Sequence, residues 1–306
     1  MKTITLSDHL KSIFGQKIYR ISLSSGCTCP NRDGSIGTGG CTFCTAGGSG
    51  EFATDIISLD DIDTQIEKAK QKVIHKLPSD IRPQEQRFIA YFQSYTNTYG
   101  DTGRLRSIYE KVIRRDDIAV LSLGTRPDCI DEEKLQMIIE LDHIKPVWIE
   151  LGLQTANDHT AERIHRGYPT SVFDDCFRRL KSADIEVIAH VIFGLPGESR
   201  DDMLATIRHL AFLYPPLDGI KIQMLNILEG SFLAEEYKRH PFPQMTMEEY
   251  TDLVAEAVSI LPDTTVIHRM TGDGPRNLLI SPKWVTDKKR VMNMLRRKIA
   301  YVSADT

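Results

Sequence analysis

The chain reads as an α/β protein whose parallel strands curl into a (β/α)6 partial TIM barrel, with a small α+β C-terminal extension; three observations support this. Short β-branched and aromatic runs alternate with longer amphipathic stretches across residues 15–245. Several of the runs, such as "EVIAHVIFGL", are apolar on both faces, as strands are when helices cover one face and packed side chains fill the other. Polar or glycine-rich segments follow strand after strand, at the carboxyl ends where parallel barrels gather their chemistry.

Taken in order, the first strand is expected over 18–23, followed by a cysteine-bearing loop and a helix over 59–75. Strands over 88–93, 118–123, 147–153, 185–193 and 219–225 then alternate with helices over 103–113, 131–141, 173–182 and 200–213. The exits of these strands read "YFQSYTNTY", "LGTRPDC", "ELGLQTAND" and "HVIFGLPGE", so several chemistry-bearing segments would converge on one mouth. From residue 246 to 306 the pattern changes to a helix over 247–261, a short strand in "TTVIHRM" and a basic helix over 286–301, expected to cap the barrel near its substrate.

With 306 residues, 41% hydrophobic and 26% charged, the chain has enough apolar content for a large core. A net charge of −4 argues against indiscriminate nucleic-acid binding, but a local basic patch remains compatible with it. No apolar run is long enough to span a bilayer, and the opening "MKTITLSDHL" lacks the basic-then-apolar pattern of a signal peptide. A cytoplasmic location without a membrane partner is therefore expected, and there clustered cysteines point to metal or catalysis rather than disulfides. Oligomeric state is not legible in the sequence.

Four of the six cysteines lie in "GCTCPNRDGSIGTGGCTFC", residues 26–44. Four thiols suit closed structural zinc, and three suit a cluster with one open metal position. Cys27 and Cys29 form a tight CxC and Cys41 and Cys44 a CxxC. Spacing alone leaves both alternatives open, and a zinc-stabilised nucleic-acid-binding protein is the rival reading.

The block "TCPNRDGSIGTGGCTFC" resembles the radical S-adenosylmethionine (SAM) superfamily, in its long-spaced branch that includes the catalytic subunit of Elongator. Within it the block is similar to the bacterial YhcC/YtqA type. The resemblance implies that Cys29, Cys41 and Cys44 bind three irons of a [4Fe–4S] cluster, that SAM chelates the fourth, and that Cys27 is a bystander. One-electron reduction of SAM would then yield a 5′-deoxyadenosyl radical. It further implies SAM contacts: Phe43 beside adenine, Gln93 and Ser94 at the second strand's exit, Glu150 and Gln154 at the fourth. Arg166 would meet the SAM carboxylate, and the turn shaped by Gly194, Pro196 and Gly197 would meet adenine. For Glu150, an ion pair with a neighbouring base is the structural alternative.

Arg126, His190 and Lys221 are the candidates for substrate-side chemistry, with Asp128, Gln223 and Asn226 nearby, although structural salt bridges account for Arg126 and Lys221 equally well. Cys129 and Cys176 read as packed, inert thiols. "HRMTGDGPRNLL" resembles the family's C-terminal block, with His268, Arg269, Asp273 and Arg276. The helix carrying Lys288, Lys289, Arg290, Arg296, Arg297 and Lys298 reads as a solvated face or a phosphate-contacting patch. By resemblance the substrate is wobble uridine of tRNA, converted from a carboxymethylaminomethyl to an aminomethyl form. A small molecule or peptide is the alternative substrate, and an electron donor such as flavodoxin or ferredoxin is required.

Overall fold

A computed structural model describes residues 3–48, 61–77, 81–82, 85–272 and 274–304. Residues 59–60 of the expected second-segment helix and Asp273 lie outside the described residues. A single parallel sheet in the order β1-β2-β3-β4-β5-β6-β8 organises the molecule. Its strands are β1 (Tyr19–Leu23), β2 (Phe88–Phe92), β3 (Ile118–Thr125), β4 (Val147–Gln154), β5 (Glu186–Phe193), β6 (Gly219–Met224) and β8 (Val266–Arg269). Between them run α2 (Ile62–Gln71), α3 (Thr102–Ile113), α4 (Glu132–Asp142), α5 (Asp158–Arg163), α6 (Thr170–Ser182) and α7 (Arg200–Ala211). The expected partial barrel is thus present with one strand more than six. β8, from the segment expected as C-terminal extension, pairs in parallel with β6 through Gly219–Val266 and Lys221–Arg269.

The helices begin where the sequence supplies caps. Asp101 and Asp131 accept bonds from the backbone of Arg104 and Lys134, and Ser199 with Asp202 forms a full capping box at α7. Ile21, Leu23, Phe92, Leu123, Ile149 and Val191 face outward under these helices and join the main core. The inward-facing residues form a separate story in layers, because side chains two apart on a strand share a face.

At the amino ends of the strands, Ile18, Ile89, Val120, Trp148 and Ile188 make an apolar floor with Leu10. Leu10 belongs to α1 (Leu6–Phe14), a helix the sequence reading did not anticipate. Thr5 caps it, and Leu6, Leu10 and Phe14, four residues apart, bring one face against that floor. One step up, every strand of the sheet contributes a polar group: Arg20, Tyr91, Ser122, Glu150, His190, Lys221 and His268. The mouth lies above that midline.

Beyond β6 the chain forms β7 (Ile227–Leu228), which pairs antiparallel with β9 (Leu279–Ser281) beside the mouth. α8 (Phe232–Arg239) packs near β7, and α9 (Met247–Ile260) lies against α10 (Lys288–Ala304). Val291, Met294 and Leu295 of α10 are buried, while Lys288, Lys289, Arg290, Arg296 and Arg297 are exposed. Among the described residues no helix is long and apolar enough to cross a membrane.

Candidate active site

The cysteine loop leaves β1 and folds back over the sheet. Its turn is fixed by backbone bonds from Arg32 to the Cys29 carbonyl (2.8 Å) and from Cys44 to the Cys41 carbonyl (2.9 Å). Thr42 anchors it twice, donating to the carbonyl after α5 at Ile164 (3.0 Å) and accepting from Leu233 at α8 (2.8 Å). Cys29, Cys41 and Cys44 consequently line one cavity of about 230 Å³ at the carboxyl ends of the strands. Cys27 does not line it; it is buried in the main core, with its sulfur 3.6 Å from where a side chain on Gly100 would begin.

Cys41 senses the other two thiols. The Cys41 thiol is held well above its ordinary value by a hydrogen bond with Cys44, by burial, and by the negative charge of Cys44 and Cys29. Arg126 counters this by favouring the thiolate, and Arg166 is near enough to be stabilised by Cys41. Three thiols at one cavity edge with two guanidinium groups beside them fit an anionic iron–sulfur cluster with three protein ligands. A fourth sulfur for closed zinc is not at hand, since Cys27 faces elsewhere and Cys129 is buried with its thiol pushed up by that burial.

Of the other expected SAM contacts, Phe43, Gln93, Glu150, Gln154 and Arg166 line the same cavity. Ser94 and Gly194 are not among its lining residues: Ser94 is 2% exposed, and Gly194 turns at φ +85° with its N–H directed to the Met203 sulfur. Gln154 ends β4 at φ +66°, a conformation costly for a residue with a side chain. The register of β4 against β5 shifts at that point, which tips Gln154 into the mouth.

Arg166 has a different occupation from the one expected. Its five N–H groups are committed: Nε to Tyr168 O, Nη1 to Leu153 O and Thr155 O, and Nη2 to Asp158 and Thr170. It ties the β4 exit to the segment before α6 and offers the cavity charge rather than a free hydrogen-bonding fork. Arg126 forms a bidentate pair with Asp128 (2.9 and 2.7 Å) and donates to Arg166 O (2.9 Å). The Tyr168 ring lies 4.7 Å from each of these guanidinium groups, and its hydroxyl donates to Gly152 O (2.7 Å). Tyr168 went unnoticed in the sequence because it lies in a loop with no strand-exit motif around it.

At the midline Glu150 is 1% exposed and central. Its Oε2 accepts from Lys221 Nζ and from His190 Nε2 (2.8 Å), and its Oε1 accepts from Ser122 (2.8 Å) and faces Arg20 at 3.4 Å. Burial alone would raise its pKa; Lys221, Arg20 and His190 overcome that and hold the carboxyl well below the carboxylate range. Since an ionised carboxylate only accepts, His190 carries its proton on Nε2. Burial and the Lys221 charge pull His190 down to about 4, against the opposing pull of Glu150, so it is neutral near pH 7. The ion-pair alternative for Glu150 is therefore what the geometry displays. Arg20 and Tyr91, which complete this layer, were missed; an arginine inside the strand "IYRISL" was the available signal.

The C-terminal block reaches the rim. Gly274 lines the cavity, and a side chain on Gly272 would begin 2.8 Å from Met224 O and 2.9 Å from the Asn226 amide, so only glycine allows this approach to the β6 exit. Arg269 lines the cavity and donates to Gln223 (3.3 Å).

A parallel half-barrel with three cysteines of one loop lining the cavity at its mouth is the arrangement expected of a radical SAM protein, and comparison with known families shows that membership. The radical SAM superfamily model matches residues 32–210, and the radical SAM C-terminal domain matches 217–301. The chain belongs to the radical SAM superfamily, whose cofactors are a [4Fe–4S] cluster and SAM. More particularly, it is 36% identical over 295 residues to YtqA of Bacillus subtilis, covering 96% of this chain and 88% of that one. It is 29% identical over 160 residues to a tRNA uridine(34) acetyltransferase of Dehalococcoides mccartyi, covering 51% of this chain and 33% of the other. The fold is shared with the archaeal Methanocaldococcus infernus Elp3, at a TM-score of 0.63 and 19% identity over 77% of this chain and 58% of that one.

Proposed function

We propose that this radical SAM enzyme tailors the wobble uridine of tRNA, by a conversion of the carboxymethylaminomethyl-to-aminomethyl type. The observation that carries the reading is kinship over half the chain with proteins whose names specify tRNA uridine 34. The exposed basic face of α10, with Lys288, Lys289, Arg290, Arg296 and Arg297, adds a surface suited to phosphate backbone on a chain of net charge −4.

In this reading Cys29, Cys41 and Cys44 hold the cluster, and Phe43, Gln93 and Gln154 surround SAM at the mouth. When bound, the cluster and SAM together supply one-electron cleavage and a carbon-centred oxidant for hydrogen abstraction. Arg126 and Arg166 provide compensating positive charge beside the thiolates. Tyr168 and the C-terminal segment at Gly274 wall the mouth, and such walls would help to exclude water from radical chemistry. Neutral His190 and buried Lys221 lie one layer deeper, where substrate would reach them. An electron donor of the flavodoxin or ferredoxin kind completes a cytoplasmic system.

Mass analysis of wobble nucleosides from cells lacking the gene tests the proposal. We expect carboxymethylaminomethyl-uridine to accumulate at the expense of aminomethyl derivatives; an unchanged nucleoside profile refutes the substrate. A charge reversal of Arg296 and Arg297 to Glu should weaken tRNA binding and flatten its salt dependence.

A further inference from the structure

We propose that Arg32, in place of Arg166, takes the carboxylate of SAM through a two-pronged guanidinium fork beside the thiol triplet. This requires the superfamily's own cofactors and no particular substrate, so it stands apart from the uridine reading.

A carboxylate entering the cavity needs a cation whose charge and donors are not already spent on the protein. Among the described residues, the lysines and arginines that line the cavity are Arg32, Arg126, Arg166, Lys221 and Arg269. Arg166 has every N–H committed, mostly to carbonyls. Arg126 is closed in its bidentate pair with Asp128. Lys221 is buried against Glu150, and that burial draws its pKa well below the lysine range, so it is no ready source of positive charge. Arg269 is held by Gln223 and engaged by a further partner.

Arg32 differs from all four. Its Nη2 donates to Thr45 O, while Nε and Nη1 bond to no described residue. No carboxylate among the described residues lies within ion-pair distance of it. The chain nevertheless fixes where the fork sits. Thr45 follows Cys44 directly, and a side chain on Gly40, the residue before Cys41, would begin 2.8 Å from Arg32 Nε and 3.2 Å from its Cζ. Gly40 turns at φ +87°, so glycine supplies both the turn and the room for the guanidinium. The Tyr95 ring stands 5.6 Å from the same group, and the Tyr95 hydroxyl donates to Ala46 O. Tyr95 belongs to the β2 exit, whose Gln93 and Thr96 also line the cavity, and it keeps φ +58°, a conformation costly for an aromatic residue. Backbone, glycine and ring thus hold Arg32 beside the Cys41–Cys44 turn with donors to spare. A carboxylate that gives one oxygen to a metal retains lone pairs for a planar fork, the shape arginine offers and lysine does not.

The test is calorimetry on the cluster-loaded full-length chain with two probes, SAM and decarboxylated SAM, which keeps the amino group, sulfonium and adenosine. Arg32→Gln, at wild-type iron content, should weaken SAM binding about tenfold and leave decarboxylated SAM within about twofold. The change that SAM makes to the paramagnetic resonance spectrum of the reduced cluster should then require about tenfold more SAM. An equal loss for both ligands, or no loss for either, overturns the proposal. A SAM-specific loss in Arg166→Gln with none in Arg32→Gln returns the carboxylate to Arg166 and overturns it too. If Arg32→Gln does not hold its iron, Arg32→Lys decides, since it keeps the charge and gives up the fork. A SAM-specific loss in that variant supports the assignment; an equal loss for both ligands, or none, overturns it.

Discussion

The mouth and the midline of the barrel face the same cavity and are built in opposite ways. The thiol triplet of the mouth comes from contiguous sequence: Cys29, Cys41 and Cys44, with Phe43, lie in one loop whose geometry is set by backbone turns. The midline takes one side chain from each strand, and its order depends on a shared carboxylate. Chemistry that needs a spacing is written locally, whereas chemistry that needs a charge balance is distributed along the whole fold. The first kind tolerates movement of the sheet below it; the second collapses if one member is removed.

The largest expected effect falls on the midline. Glu150→Ala leaves buried Lys221 and half-buried Arg20 without the carboxylate they share, and we expect a loss of about 3–5 kcal/mol in denaturant unfolding. A loss under about 1 kcal/mol, the ordinary worth of an exposed pair such as Arg163–Glu236, would erase the contrast between the two regions.

The next effect is a pH signature. His190 is pulled from 6.5 to about 4 in the folded state, so below pH 6.5 the unfolded chain binds a proton that the native chain refuses. Its contribution is full above pH 6.5 and is lost progressively as pH falls toward 4, amounting to about 3 kcal/mol. His190→Gln should flatten stability over that window; an unaltered slope would place the histidine outside the charge balance. Glu150, whose pKa is depressed, contributes above its ordinary 4.5 and is lost below it, so the two windows separate.

The smallest effect belongs to the mouth. Gln154→Gly removes a side chain from a position at φ +66°, and the relief of backbone strain should offset the added chain entropy, leaving stability within about 1 kcal/mol of wild type. SAM affinity should nevertheless fall. A large stability loss with unchanged SAM binding would make Gln154 a structural residue.

These differences also explain what could be read without coordinates. The six core strands, the thiol triplet and the "GLPGE" turn carry local signals, and Gly197 at φ +87° is a turn residue by its own chemistry. β8 was expected as a short strand of the extension, but its place as a seventh strand of the parallel sheet escaped, because four residues ending in His268 and Arg269 announce no partner until they pair with β6. α1 escaped because its apolar stripe is narrow and gains meaning only against Trp148 and Ile188. Arg166 reads as a SAM contact only through the family resemblance of its segment. Its five bonds run mostly to carbonyls, which no residue pattern announces.

The central claim is that three of the loop's four cysteines hold an iron–sulfur cluster at the barrel mouth while the fourth packs the core. Anaerobic reconstitution followed by iron analysis tests it directly. Wild type and Cys27→Ala should each be brown with about four irons per chain, and Cys29→Ala, Cys41→Ala and Cys44→Ala should each fall far below that. A colourless wild type, or a Cys27→Ala chain that loses its iron while Cys29→Ala keeps it, would contradict the account.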